Sequence, residues 1–167
     1  CFSSGAELAR VGVELGGYVG YSAVRIGRLL GDNAHLYSIE ANPLFAAIAT
    51  QVVQRAGLSH RVTVVIGESQ DVLPTLKQRF NVASIDLLFI DHWKQLYLRD
   101  IKLVESLGLL VPGSVVVADN VVFPGAPEYL EYIRAHPRFA STYYRSQLEY
   151  NPQIVDGLEV SEYKASE

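Results

Sequence analysis

The sequence holds one cysteine, no methionine and a single tryptophan among 167 residues. One cysteine excludes an internal disulfide and nothing resembles a signal peptide, so the chain reads as a cytoplasmic protein. Uninterrupted apolar runs of the roughly 18 residues that read as a membrane span are also lacking, because Gly, Pro, Asp or Arg breaks each candidate. Basic residues are few and unclustered, 14 Lys and Arg against 18 Asp and Glu, for a formal charge of −4. Counterion release, which drives nucleic-acid binding, therefore has no source here, and a nucleic-acid partner is not expected. A start at Cys1 without any Met leads to the expectation of a lost initiator or of a cut from something longer.

What is present is 49% apolar sequence in which strand-length runs alternate with helix-period segments, the signature of one α/β domain over residues 1–167. The run 10–15 leads through Gly16-Gly17-Tyr18-Val19-Gly20 into a helical segment that ends at Gly31-Asp32-Asn33. A second strand, 35–40, precedes Asn42-Pro43, an N-cap followed by proline in the first helical turn. A third strand, 61–66, is followed by a helix expected to continue from Gly67-Glu68-Ser69 to Phe80. Strands 84–90 and 114–118 end at Asp91 and Asp119, with a helix from Tyr97 to about Leu109 between them, closed by Pro112-Gly113. A helix over 126–136 and a closing hairpin, 141–148 with 157–163, complete seven strands. The expected sheet is mostly parallel with an antiparallel edge and helices on both faces.

In an open parallel sheet the ligand crevice lies beyond the carboxyl ends of the strands. Here those ends carry Glu14 and the glycine turn, Glu40, Gly67-Glu68-Ser69-Gln70, Asp91-His92-Trp93-Lys94, and Asp119-Asn120. Glu40 follows Gly20 by 20 residues, the spacing at which an acid can accept from ribose hydroxyls. The turn by itself fits a plain strand-to-helix connection equally well, and its Gly-Gly-x-x-Gly form argues against a dinucleotide. Asp91, Asp119 and the amide of Asn120 form a hard oxygen set suited to Mg²⁺ if their strands are neighbours, although both aspartates also fit simple helix caps. Lys94 reaches the same place as a candidate general base, with a solvated surface lysine as the alternative. Trp93 and His92 flank an aromatic ligand or, for Trp93, pack into the core.

Seven segments then match one family in order and spacing: Glu14-Leu15-Gly16-Gly17-Tyr18-Val19-Gly20-Tyr21-Ser22, Ser38-Ile39-Glu40-Ala41-Asn42-Pro43, Gly67-Glu68-Ser69-Gln70-Asp71, Asp91-His92-Trp93-Lys94, Ala118-Asp119-Asn120-Val121, Pro124-Gly125-Ala126-Pro127 and Leu148-Glu149-Tyr150. Together they resemble the catechol O-methyltransferases. The resemblance implies a Rossmann-like class I methyltransferase fold that uses S-adenosylmethionine and Mg²⁺ to methylate one hydroxyl of a catechol. It implies Asp91, Asp119 and Asn120 as metal ligands, Lys94 as general base, and Glu149 as the acid that holds the second hydroxyl. Glu14, Gly16, Tyr18, Ser22, Glu40, Ala41, Ser69, Gln70, Asp91, His92 and Trp93 then surround the cofactor. Trp93, Lys94, Asn120, Pro124 and Glu149 surround the substrate.

Two departures are visible. Ala41 stands where well-known members carry Met, and the helices that precede the first strand in the family have no counterpart, so an N-terminally truncated domain with a partly open cofactor site is expected. The competing readings are a non-catalytic module of the same fold and a cation-dependent O-methyltransferase for another vicinal diol, such as a caffeoyl ester. A monomer or weak dimer is expected.

Overall fold

The computed structural model describes residues 10–148 and 151–165. The lead-in ahead of Arg10, and Glu149 with its assigned substrate role, lie outside the described residues. One seven-stranded sheet runs through the molecule in the order β3-β2-β1-β4-β5-β7-β6. Its strands are β1 (Val11–Leu15), β2 (His35–Glu40), β3 (Val62–Ile66), β4 (Ile85–Ile90), β5 (Leu110–Ala118), β6 (Phe139–Leu148) and β7 (Asn151–Tyr163). The first five pair in parallel, and β7 inserts antiparallel between β5 and β6. The chain reverses direction of travel across the sheet at β1, which is paired on one side with β2 and on the other with β4. Connections leaving β1 and β4 therefore part to opposite sides and open a crevice at their carboxyl ends.

The helices α1 (Tyr21–Gly27), α2 (Pro43–Arg55), α3 (Ser69–Val72), α4 (Leu76–Phe80), α5 (Tyr97–Ser106) and α6 (Pro127–Ala135) cover the sheet. Two apolar clusters result. The larger joins Val13, Leu15, Ile39 and Leu88 of the sheet to Leu76 of α4, Ile101 of α5 and Ile133 of α6. The smaller joins Leu36 and Val62 to Ala23 of α1 and Val53 of α2. Strand side chains alternate between these clusters, which is why β2 carries Leu36 into one and Ile39 into the other.

Local chemistry explains the boundaries. Asn42 accepts from Leu44 N at 2.9 Å and Phe45 N at 3.4 Å, and Pro43 opens α2, as the sequence predicts. The helix expected to run unbroken to Phe80 is interrupted instead by a 3₁₀ turn, Leu73–Thr75. Pro74 has no N–H to continue the α-helical ladder, and the tighter turn still buries Leu73 and Leu76. The strand expected from Ser114 begins four residues earlier at Leu110. Its register jumps between Ile85↔Leu110 and Leu87↔Val115, and Ser114 Oγ closes the irregularity by donating to Ile85 O at 2.6 Å and accepting from Val111 N at 2.9 Å.

Candidate active site

The ends of β1, β2, β3 and β4 surround a cleft of about 600 Å³ whose lining includes Gly16, Tyr18, Glu40, Ala41, Ser69, Asp91, His92 and Trp93. Gly16 is required there. Its φ is +98°, and a Cβ at this position would sit 2.6 Å from Asp91 O, so the turn after β1 lies directly against the end of β4. Glu40 is pinned from two sides: Tyr18 N of the same turn donates to Oε2 and Asn42 N, at the start of α2, donates to Oε1, each at 2.8 Å. With one backbone donor on each oxygen, the carboxylate is fixed in direction and keeps free lone pairs for a ligand in the cleft. Tyr18, 59% exposed, stands edge-on to Phe45 with ring centroids 4.7 Å apart. Trp93 is 77% exposed at the cleft wall, which removes core packing as its explanation.

Three expected residues stand outside this lining. Glu14 is fully buried behind it; Ser38 Oγ donates to Oε2, while Oε1 has no hydrogen-bond partner among the described residues. Burial pushes the Glu14 carboxyl up to about 7, with the charges of Asp91 and Glu40 adding to the rise and the hydroxyls of Ser22 and Ser38 opposing it. Ser22, on α1, is thus placed beside Glu14. Gln70 faces Arg99, whose Nη1 donates to Gln70 Oε1 at 2.9 Å, and Gln70 Nε2 donates to Glu68 Oε2 at 3.0 Å.

Beside the cleft, β4 and β5 are neighbours, as the metal reading requires, and end at Asp91 and Asp119. Lys94 Nζ donates to Asp91 Oδ1 at 3.1 Å, to Asn120 Oδ1 at 3.1 Å and to Tyr97 Oη at 2.6 Å. Tyr97 Oη in turn donates to Asp119 O at 3.0 Å. The Asp119 carboxyl is raised by burial first and by the neighbouring Asp91 charge second. Two carboxylates that repel each other, and an amide oxygen that shares a cation with one of them, are a donor set that fits a hard divalent ion such as Mg²⁺. Among the described residues no cluster of three or more His, Cys, Asp or Glu is arranged for a metal, so this set depends on the amide oxygen of Asn120. Pro124 lies exposed on the wide turn Val121–Gly125 that follows Asn120.

Sequence reasoning missed two acids. Asp100 on α5 is fully buried, takes Ser69 Oγ as a donor, and accepts from His92 Nε2 and Arg99 Nε at 2.7 Å each. Its signal was available: Tyr97, Ile101 and Val104 define the buried face of α5, and Asp100 lies on that face, where an acid needs partners. Asp156 on β7 is also buried and accepts from Asn120 Nδ2 at 2.7 Å. Its position in a long hairpin strand carried no comparable signal.

Residues 6–137 match the family model described as O-methyltransferase. Catechol O-methyltransferase from Sus scrofa is 55% identical over 152 residues, covering 91% of this chain and 81% of that protein. The chain belongs to the catechol O-methyltransferase family. The Bos taurus catechol O-methyltransferase is 52% identical over 152 residues, and the chain spans 56% of that relative's length. Among solved structures, the O-methyltransferase from Bacillus cereus in complex with SAH superposes with a TM-score of 0.83 at 28% identity, over 93% of this chain and 74% of that one. TomG from Streptomyces achromogenes, solved with SAM, gives 0.82 at 27% identity, over 95% and 74%. The fold is accordingly that of the class I O-methyltransferases, with the parallel strands followed by an antiparallel hairpin at one edge of the sheet. No helix among the described residues is long and apolar enough to cross a membrane.

Proposed function

We propose that this chain transfers a methyl group from S-adenosylmethionine to one hydroxyl of a catechol, in a reaction that depends on Mg²⁺. The observation that carries the reading is the convergence of Asp91 Oδ1 and Asn120 Oδ1 on one ammonium, each at 3.1 Å, beside Asp119 and next to a nucleoside-sized cleft. Family membership and the SAM- and SAH-bound neighbours support the cofactor.

In this reading Asp91, Asp119 and Asn120 hold the metal, and Glu40 accepts from the ribose hydroxyls while Gly16, Tyr18, Ala41, Ser69, His92 and Trp93 enclose the rest of the cofactor, with Glu14, Ser22 and Gln70 outside that lining. When bound, Mg²⁺ lowers the pKa of a catechol hydroxyl and the sulfonium supplies an electrophilic methyl group. Lys94, in its neutral amine form, accepts the hydroxyl proton at Nζ and becomes the ammonium that donates to Tyr97 Oη. Trp93 and Pro124 wall the flat ring, and Glu149 accepts from the second hydroxyl. Because anionic oxygen meets cationic sulfur, the residues contribute chiefly by orienting the two partners and excluding water. A cytoplasmic setting, expected from the cysteine content, and a monomer or weak dimer belong to the same proposal.

The test is methylation of a simple catechol with labelled S-adenosylmethionine, with and without EDTA. Transfer that EDTA abolishes and added Mg²⁺ restores is expected; full activity in EDTA would overturn the metal assignment, and no transfer under any condition would favour the non-catalytic reading. A substrate panel that includes a caffeoyl ester separates the catechol reading from its vicinal-diol alternative.

A further inference from the structure

Asn120 is a ligand of unusual vulnerability, because an amide can present either of two chemically opposite faces. Its Oδ1 accepts from Lys94 Nζ at 3.1 Å and its Nδ2 donates to Asp156 Oδ2 at 2.7 Å. These contacts assign the amide independently and agree: an ammonium can only donate, so an oxygen must face it, and a carboxylate can only accept, so the NH₂ must face that. Asp156 is itself immobilised. It is 1% exposed, and its Oδ1 accepts from Phe123 N at 3.1 Å and Val122 N at 3.3 Å. The strand β7 that carries it is hydrogen-bonded on both sides, to β5 and β6. Lys94 is the weaker of the two constraints on the amide, since its ammonium divides three donors among Asp91, Tyr97 and Asn120.

We propose that Asp156 is a positioning residue whose carboxylate holds the Asn120 amide with its oxygen turned toward the Lys94 and Asp91 side, and so sets the polarity of the third metal ligand. The inference rests on the assignment of Asn120 as a ligand made above. The same carboxylate anchors the backbone at Val122 and Phe123, so ligand direction and the start of the Pro124 turn share one support.

The polarity argument supplies its own test. In Asp156→Asn the new carbonyl oxygen still serves Val122 N and Phe123 N, but the new NH₂ faces the NH₂ of Asn120. The conflict is relieved when Asn120 rotates by half a turn, which presents NH₂ in place of oxygen to the metal side. In the double substitution Asn120→Asp with Asp156→Asn, donor and acceptor are exchanged across the contact and an oxygen again faces the metal side. Mn²⁺, titrated by electron paramagnetic resonance, is the probe. Asp156→Asn should weaken Mn²⁺ binding by about 10- to 100-fold, the usual scale for losing a residue that orients a ligand, and the double substitution should restore most of it. Calorimetric S-adenosylmethionine binding should change less than about twofold in both, which separates lost polarity from a damaged fold.

Wild-type Mn²⁺ binding that Asp156→Asn leaves intact, or a double substitution no tighter than the single one, overturns the inference while leaving the proposed function standing. Absence of Mn²⁺ binding by the wild-type protein overturns the ligand assignment itself. A measurement on the unmutated chain guards against a variant that does not fold: the Asn120 side-chain NH₂ protons should exchange slowly by NMR, and exchange as fast as an exposed amide would mean that Asp156 does not hold them.

Discussion

Lys94 Nζ and Tyr97 Oη lie 2.6 Å apart, and the phenol donates its own hydrogen bond to Asp119 O at 3.0 Å. Burial, reinforced by the charges of Asp91 and Asp119, pushes the Tyr97 phenol well above its ordinary range, so it stays neutral and serves as a fixed acceptor for the lysine. One buried ring thus links the proposed base to the end of β5.

Replacement of Lys94 should therefore remove chemistry more than binding. Lys94→Ala is expected to lower kcat by about 10²- to 10⁴-fold, the range for losing a positioned base, while S-adenosylmethionine affinity measured by calorimetry stays close to wild type. Equal losses in both quantities would assign Lys94 to binding instead.

Trp93 offers a clean separation of stability from function because it is 77% exposed. Trp93→Ala should shift unfolding free energy by no more than about 0.5 kcal/mol, as for other surface sites. Affinity for the cleft's ligands should fall by roughly tenfold, about 1.4 kcal/mol, through the lost aromatic wall. A large drop in denaturant midpoint with unchanged affinity would show that the indole supports the fold.

Asp100 behaves in the opposite way. Burial pushes its carboxyl up, but hydrogen bonds from His92, Arg99 and Ser69 outweigh that and hold it below its ordinary value of 3.8. A depressed carboxyl contributes stability above the unfolded value and loses it as pH falls through the folded one. Asp100→Asn should cost about 3 kcal/mol at pH 7, the scale for one-sided loss of a buried charged partner, and the gap from wild type should close below pH 3.8. Urea unfolding at several pH values measures it; a gap independent of pH would show that the carboxylate charge is immaterial.

Glu14 has the reverse sign. Its ordinary value of 4.5 is raised to about 7, so across that window the folded protein keeps a proton that the unfolded chain releases. Its contribution to stability falls as pH rises from 4.5, and the penalty is complete above 7, on the order of 3 kcal/mol at about 1.4 kcal/mol per pKa unit. Glu14→Gln carries no such charge. Without ligands, its melting temperature should gain on that of wild type as pH rises from 5 to 8, and parallel melting curves across that range would refute the assignment.

Much of this architecture was legible because local and global signals coincide. Asn42-Pro43 announces α2 through one side-chain cap and one fixed φ, and the capping contacts form as expected. Asp91 and Asp119 are conspicuous because each directly follows an apolar run, 87–90 and 115–118. The break at Pro74 was also written in the chain, but the apolar spacing of Val72, Leu73 and Leu76 continues through it and conceals the change of helix type. Long-range pairing was harder to see. Nothing near Asp156 announces that its partner is Asn120, 36 residues away, since that contact exists only once β7 lies beside β5. Glu149 takes its role from family resemblance alone and lies outside the described residues.

The insertion of β7 between β5 and β6 has a consequence for biosynthesis. The strand that follows β6 in the chain occupies an interior place in the sheet, so until it docks, β5 is an open edge. That edge carries Val115, Val116, Val117 and Ala118 with no charge among them, the kind of strand that recruits a neighbouring chain when left uncovered. Quality control of the nascent protein is therefore concentrated in β7, whose arrival both joins β5 to β6 and shields the stickiest border of the sheet.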